Sequence, residues 1–266
     1  MSLPAKRPAL QPVWEGLAHR QWTKAQLLEL EKLLATPDLL AAYPRAIRGE
    51  QAFGVAMIDF IRDNPQPAAN LFGADTSLPG ATILVLTPFG WFDQNKSFIV
   101  KFHQEFSLPT IDVEKRLFRF DVYQRAKEAE GKLHTSHPYR ILGGLLLPAV
   151  VNVGQKYAQS QTALDLARVA CALERHRLKH GAFPDTTAAL VPAFLAKLPH
   201  DIMSGEPLRY HRTADGNFVL YSVGFNQTDD GGEVALNRTK LRGPDFKRGD
   251  WVWRYPEKTA APAAPK

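Results

Sequence analysis

The stretch from Tyr139 to Gly181 constrains the fold more than any other, because its apolar residues return at helical spacing and Pro148 is the one proline inside it. One helix over that span would be about 60 Å long, kinked at Pro148. A helix of that length needs something to cover its apolar side. Ala163, Leu166, Ala167, Ala170, Cys171 and Leu178 share that side, and Asp165, Arg168, Arg175 and Lys179 lie opposite. Gly181, followed by Phe183 and Pro184, reads as the stop, with the glycine in the left-handed conformation. Beyond it a short helix capped by Asp185 is expected, and then the period changes to that of strands. "PLRYHRT" and "NFVLYSV" flank Asp215 and Gly216, the dipeptide of a tight hairpin turn. Leu208, Tyr210, Val219 and Tyr221 are candidates for its packing face or its cross-strand pairs, and "DWVWRY" supplies a third strand.

Upstream, "TKAQLLELEKLLATPDLLAAYPRAIRGEQAFGVAMIDFIRDNP" predicts two or three packed helices, with Thr23 as a cap and Pro37, Pro44 and Pro65 as punctuation. Phe89, Phe92, Ile99 and Phe106 mark one face of a further helix, opened by Thr87 with Pro88 at its first position. The fold class is therefore α+β: a helical N-terminal module, a long central helix and a small antiparallel sheet. The expected division is a leader over 1–16, a mainly helical module over 17–138, the long helix with the sheet over 139–257, and a disordered tail over 258–266. With 266 residues, 45% of them hydrophobic, the chain can build one sizeable core or two smaller ones. No stretch approaches the roughly 20 apolar residues of a membrane span, and the first residues lack the apolar run of a signal peptide.

Chemistry is sparse. The 33 Lys and Arg against 27 Asp and Glu give a net charge of +6 scattered through the chain, so nucleic acid is not indicated as a partner. Arg175, Arg177 and Lys179 could track phosphates but lack interleaved aromatics, and a solvated helix face is the plain reading. Cys171, the single cysteine, lies among alanines and reads as a buried structural thiol. His134 and His137 form an H-x-x-H without a third ligand and read as a polar surface loop. His176 and His180 share half of the H-E-x-x-H pattern, but Arg177 and Lys179 between them oppose a metal. Nucleophile-elbow, P-loop and dinucleotide-binding motifs do not occur. One oxygen-rich segment remains, "SVGFNQTDDGGE", where Asn226, Asp229, Asp230 and Glu233 crowd a glycine-containing loop. Such a loop can curl around calcium, which takes six to eight oxygens, or can stand as a solvated acidic turn.

The order "ALERHRLKHGAFP", "LPHDIMSGEPLRYHR" and "NFVLYSVGFNQTDDGG" resembles the globular part of the major pseudopilin of bacterial type II secretion. In that family a helix ends at a Gly-x-Tyr/Phe-Pro stop, a Leu-Pro-x-Asp-Pro loop crosses over, and a Leu-Tyr-Ser-x-Gly strand runs into an acidic loop. The resemblance covers roughly the last 45% of the chain. It implies a type IV pilin-like module with a structural or assembly role instead of catalysis, and a calcium site. Asn226 stands where the family has its first aspartate, Asp250 matches the second, and Asp229 and Asp230 are extra or substitute ligands. The chain departs from the family upstream, where some 140 residues precede the helix and its apolar start is too short to span a bilayer. It is then either a piece of a longer anchored protein, periplasmic or envelope-associated, or a cytoplasmic reuse of the fold. Membrane contact is expected only in the first case; protein partners or self-assembly are expected in both. A second class of function is an enzyme or ligand-binding protein with a pocket among Trp91, Phe92, Phe98 and Phe102 at the module junction, served by His103, Glu105 and His134. A third, nucleic-acid binding through the basic helix, predicts strongly salt-dependent affinity.

Overall fold

A computed structural model describes residues 10–65, 87–132, 140–237 and 244–255. The chain is α+β, with long helices and small antiparallel sheets. It divides into two compact units, one built from residues 1–39 and 158–266 and the other from 40–157.

The discontinuous unit is organised around α8 (Val153–His180), of which its last 23 residues belong here. Helix α1 (Gln11–Ala18) buries Trp14 and Leu17, and α2 (Lys24–Ala35) buries Leu27 and Leu34, in one core with Leu166, Ala170, Cys171 and Leu173 of α8. Thr23 opens α2 with a reciprocal capping box: its Oγ accepts from the Gln26 amide, and the Gln26 side chain accepts from the Thr23 amide. The Glu31 carboxylate of α2 pairs with Arg175 of α8, which also donates to the Phe194 carbonyl at 3.1 Å and lies over that ring at 5.6 Å. From the sheet side the same core takes Leu208, Phe218, Leu220 and Trp253. The Trp14 indole N–H donates to the Arg254 carbonyl at 3.0 Å, joining the first helix to the last strand.

The sheet has the order β3 (Arg209–Arg212), β4 (Phe218–Ser222), β7 (Trp251–Arg254), antiparallel throughout. Tyr210 opposes Leu220 and His211 opposes Val219, so the four expected residues split between two faces. Leu208, Tyr210, Phe218 and Leu220 face the helix core, while Val219 and Tyr221 join Val252 in a smaller cluster on the other side. The hairpin turn is one residue longer than the Asp-Gly dipeptide suggested. Thr213 and Asn217 close it, Gly216 donates to the Thr213 carbonyl at 3.0 Å, and Gly216 takes φ +77°. The second small sheet pairs β5 (Val234–Leu236) with β6 (Pro244–Gly249).

The inserted unit contains α3 (Leu39–Asp63, from Leu40), α4 (Phe89–Phe102), the β1–β2 hairpin (Ile111–Asp112, Leu117–Phe118), α5 (Phe120–Gly131), α6 (Ile141–Leu146), α7 (Pro148–Val151) and the first turn of α8. Helix α4 continues as a π-helical turn over His103–Ser107 and a tighter one over Leu108–Thr110. Ile58, Ile61, Phe92 and Ile99 form its core. Asn95 fastens α6 to α4: its side chain donates to the Trp91 carbonyl at 2.8 Å and accepts from the Gly143 amide at 2.9 Å. A Cβ at Gly143 would meet Phe98 at 2.8 Å, so glycine lets the helices approach.

Several expectations change. Part of the supposed leader is helical, because Val13, Trp14 and Leu17 have a core to enter. Helices α1 and α2 complete the C-terminal unit instead of a 17–138 module, and residues 140–157 pack with the inserted unit instead of opening the 139–257 domain. The long helix is not continuous from Tyr139: Pro148 and Asn152 divide it, leaving 28 residues, about 42 Å, in α8. Pro44, by contrast, does not interrupt α3; Leu40, Tyr43 and Ile47 are buried around it and hold the helix together. The stop at Gly181 is as expected, with φ +84° and its amide donating to the Arg177 carbonyl at 2.7 Å. Asp185, however, caps no α-helix; Thr187–Leu190 is a single 3-10 turn, and Asp185 pairs with Arg212 at 2.9 Å. The predicted boundary at "GKLHTSHP", His134, His137 and the 258–266 tail lie outside the described residues, apart from Gly131 and Lys132.

His103 is 1% exposed, and its Nδ1 meets no hydrogen-bond partner. Burial pushes its pKa down from the ordinary 6.5 to about 4. The folded value lies below the unfolded one, so as pH falls the unfolded chain takes up the proton first. Stability present above pH 6.5 is lost on the way to pH 4, by up to about 3 kcal/mol. Urea unfolding of His103→Leu at pH 7 and at pH 4.5 should show a smaller acid loss than the native chain; equal losses would remove His103 as the cause.

Candidate functional site

The acidic loop follows β4 and returns to β5. Gly224, Gln227, Gly231 and Gly232 all have positive φ, which lets eleven residues curl back on themselves. At Gly224 the requirement is also steric, since a Cβ there would lie 2.5 Å from the Gly249 carbonyl oxygen. Gly249 ends β6 and Trp251 begins β7, so Asp250 occupies the corner where the chain leaves β5 to pair with β4. Its amide donates to the Glu233 carbonyl at 2.9 Å.

This corner carries Asp250 to the loop, as the sequence reading required. The residue is 3% exposed, and its carboxylate accepts from the Gly232 amide at 2.7 Å and the Asp230 amide at 3.3 Å. Burial raises its pKa to about 6; the two amides pull it down, and the charges of Asp230 and Asp229 push it further up. Asn226 donates from its side-chain nitrogen to Asp230 at 2.8 Å. Asp229 is drawn elsewhere: the Tyr221 hydroxyl donates to it at 3.0 Å, and Arg209 lies 3.4 Å away. Asn226, Asp229 and Asp230 are exposed at the loop tip above the buried Asp250.

Asn226 and Asp230 thus meet at the loop tip, the Asp230 amide reaches the buried Asp250, and the Asp229 carboxylate is held by Tyr221, Arg209 and the Gly231 amide. Among the described residues no group of three or more His, Cys, Asp or Glu is placed to hold a metal ion. The donor chemistry still suits a hard cation, because a half-buried cluster of like charges with nearby carbonyls gains when a cation enters. For Asn226 to contribute, its amide must turn its oxygen inward, since the nitrogen now faces Asp230.

The residue that organises this region is the aspartate of the Leu-Pro-x-Asp crossover, to which the sequence reading gives no role of its own. Asp201, 1% exposed, lies in the crossover "LPHDIMSGEP". One carboxylate oxygen accepts from the Met203 amide at 2.9 Å and the Ser222 hydroxyl at 2.7 Å, and the other from the Val223 amide at 2.9 Å. Ser222 in turn accepts from the Gly224 amide at 3.2 Å, and Gln227 donates to the Met203 carbonyl at 3.0 Å. Crossover, strand end and acidic loop are therefore one hydrogen-bonded assembly. A signal was available: an aspartate in a proline-bounded loop and a serine inside an apolar strand each need a buried partner.

Elsewhere the expected candidates are absorbed by structure. Arg175 is buried against Glu31, and Arg177 makes a two-pronged pair with buried Glu174 at 2.8 and 2.6 Å, so neither is a free phosphate ligand. The Arg175 correction follows from α2 covering a face expected to be solvated. His176 and His180 have ring centroids 4.4 Å apart, and His176 Nδ1 lies 3.0 Å from the Ala182 carbonyl. Cys171 is fully buried, and burial pushes its thiol up to about 12, which keeps it protonated. Phe92 and Phe102 are core residues; His103 is buried while Glu105 is exposed, so these two do not converge on a pocket. Phe98 instead lines an open hollow with Arg140, whose guanidinium is 5.1 Å from the ring. Among the described residues no helix is long and apolar enough to cross a membrane. Set against known proteins, the chain matches no family model, no curated protein and no solved structure.

Asp201→Ala should cost about 3 kcal/mol in urea unfolding, because it leaves two buried amides and a hydroxyl without an acceptor. Ser222→Ala should cost about 1 kcal/mol, and much less when Asp201 is already alanine. Additive effects, or a cost below about 1 kcal/mol for Asp201→Ala, would show that the carboxylate does not organise the loop.

Proposed function

We propose that this chain is a non-enzymatic, pseudopilin-like structural or assembly protein of a bacterial envelope or secretion system. One observation carries the reading: the last turns of α8, the crossover held by Asp201, the β3–β4 hairpin, the acidic loop and β7 follow one another in the motif order of that family, and Asp250 returns to the loop. Asn226, Asp230 and Asp250 are the residues offered to calcium, with Asp229 joining once it leaves Tyr221 and Arg209. Calcium would supply charge neutralisation at the corner and fix the loop to the sheet edge, a structural use of the ion.

Assembly is tested in the producing bacterium. Deleting the gene should reduce release of extracellular enzymes, and crosslinking in cells should capture the chain with envelope secretion components. Normal secretion together with an absence of such crosslinks would overturn the reading. The metal is tested separately by thermal unfolding in calcium and in chelator. Calcium at about 100 times its dissociation constant should add about 2.7 kcal/mol, reduced for Asp230→Ala and Asp250→Asn. A midpoint unmoved by calcium in chelator-stripped protein would remove the ion and leave the loop a solvated turn.

A further inference from the structure

A cleft opens between the start of α1, the second to fourth turns of α8 and the β6–β7 corner, all within the discontinuous unit. Its enclosed part measures about 50 Å³, inside a free space of about 660 Å³ that reaches solvent. Leu10, Ala163, Leu166, Trp251 and Val252 make the walls chiefly apolar. Gln159 also lines it, and its Nε2 is buried without a hydrogen-bond partner. A buried amide left unpaired costs about 1–3 kcal/mol, so a ligand that accepts from it recovers that cost on binding.

The remaining polar walls narrow the chemistry. Asp245 and Asp250 line the cleft, which penalises an anion. Both carboxylates already have donors: Arg248 at 2.8 Å and the Lys247 amide at 3.1 Å for Asp245, and the Gly232 and Asp230 amides for Asp250. Asp250 has no ionic partner among the described residues, but a cation would lose its hydration among apolar walls and, bringing no acceptor, would leave Gln159 Nε2 unpaired. The unmet group is a donor, and it asks for a neutral acceptor. Size restricts the rest, because an apolar cavity that admits a benzene ring is about 150 Å³, three times the enclosed part here. An unbranched alkyl chain enters where a ring does not.

We infer that this cleft binds an uncharged, unbranched aliphatic molecule bearing a carbonyl oxygen, with the oxygen on Gln159 Nε2 and the tail between Ala163, Leu166 and Trp251. The inference does not rest on the assembly role. Methyl pentyl ketone, hexanoate and hexylammonium share a chain of similar length and differ in charge, which makes them the probes. In nitrogen-edited NMR of the full chain, the ketone should shift the indole signals of Trp251 and Trp253 saturably, with at least about tenfold weaker binding of the two ions. Gln159→Leu should weaken the ketone about fivefold to tenfold while leaving the spectrum otherwise folded. Ala163→Phe should abolish binding by filling the cleft; if that variant does not fold, the Gln159→Leu comparison decides. No saturable shift, equal or tighter binding of either ion, or an affinity unchanged in Gln159→Leu would each overturn the inference.

Discussion

The middle of α8 is buried on every side, and most of the discontinuous unit exists to make that possible. From Gln161 to Arg175 each residue is buried or half-buried, including Thr162, Asp165, Glu174 and Arg175. A helix surrounded in this way needs cover on two fronts and a partner for each polar group. The sheet covers one front and α1 with α2 the other. Gln161 accepts from the Leu39 amide at 2.9 Å and donates to Asp165 at 3.2 Å, Thr162 returns its hydroxyl to the Ala158 carbonyl, and Glu174 holds Arg177. Removing one partner of the Glu31–Arg175 pair would leave the other charge stranded, so α2 is held by electrostatics as well as by apolar contact.

What could be read from the sequence follows a simple division. Local chemistry was legible: the Gly181 stop, the Thr23 cap and the antiparallel pairing of "PLRYHRT" with "NFVLYSV" are fixed by residues within a turn or two of one another. Long-range cover was not. Arg168 and Arg175 look like a solvent face because nothing nearby in sequence announces that α2, more than a hundred residues earlier, will lie on Arg175. The same gap hid the assignment of α1 to the C-terminal core, since a short proline-containing segment such as Gln11–Ala18 resembles a leader until Trp14 finds Arg254. Likewise Pro44 and Pro148 look equivalent as breakers, and only their surroundings decide that the first is carried inside a helix and the second is not.

At the candidate site the position of Asp250 was legible, and its partners were not. The family resemblance put Asp250 just before the final strand and beside the loop, and the pairing of β7 with β4 carries it there. The diversion of Asp229 to Tyr221 depends on the sheet face on which Tyr221 emerges, and sheet face follows from register. Asp201 lies in the crossover motif without a legible role, because an isolated acid has no partner nearby in sequence to show what it holds. Yet it is the isolated carboxylate that is buried with three donors from three parts of the chain, while Asp229 and Asp230 stand exposed at the loop tip.

The link between Trp14 and Arg254 bears on how the chain comes to be folded. The two residues are 240 positions apart, and the inserted unit lies wholly between them. During synthesis that unit emerges complete while α1 and α2 wait, their apolar faces uncovered, for α8 and then for the last strand to leave the ribosome. Closing so long a loop costs only slowly more with length once the inserted unit has condensed, but the contacts that reward it arrive last. The early helices are thus the part of the nascent chain most exposed to chaperones and to mispairing, and β7 is the element that ends the wait.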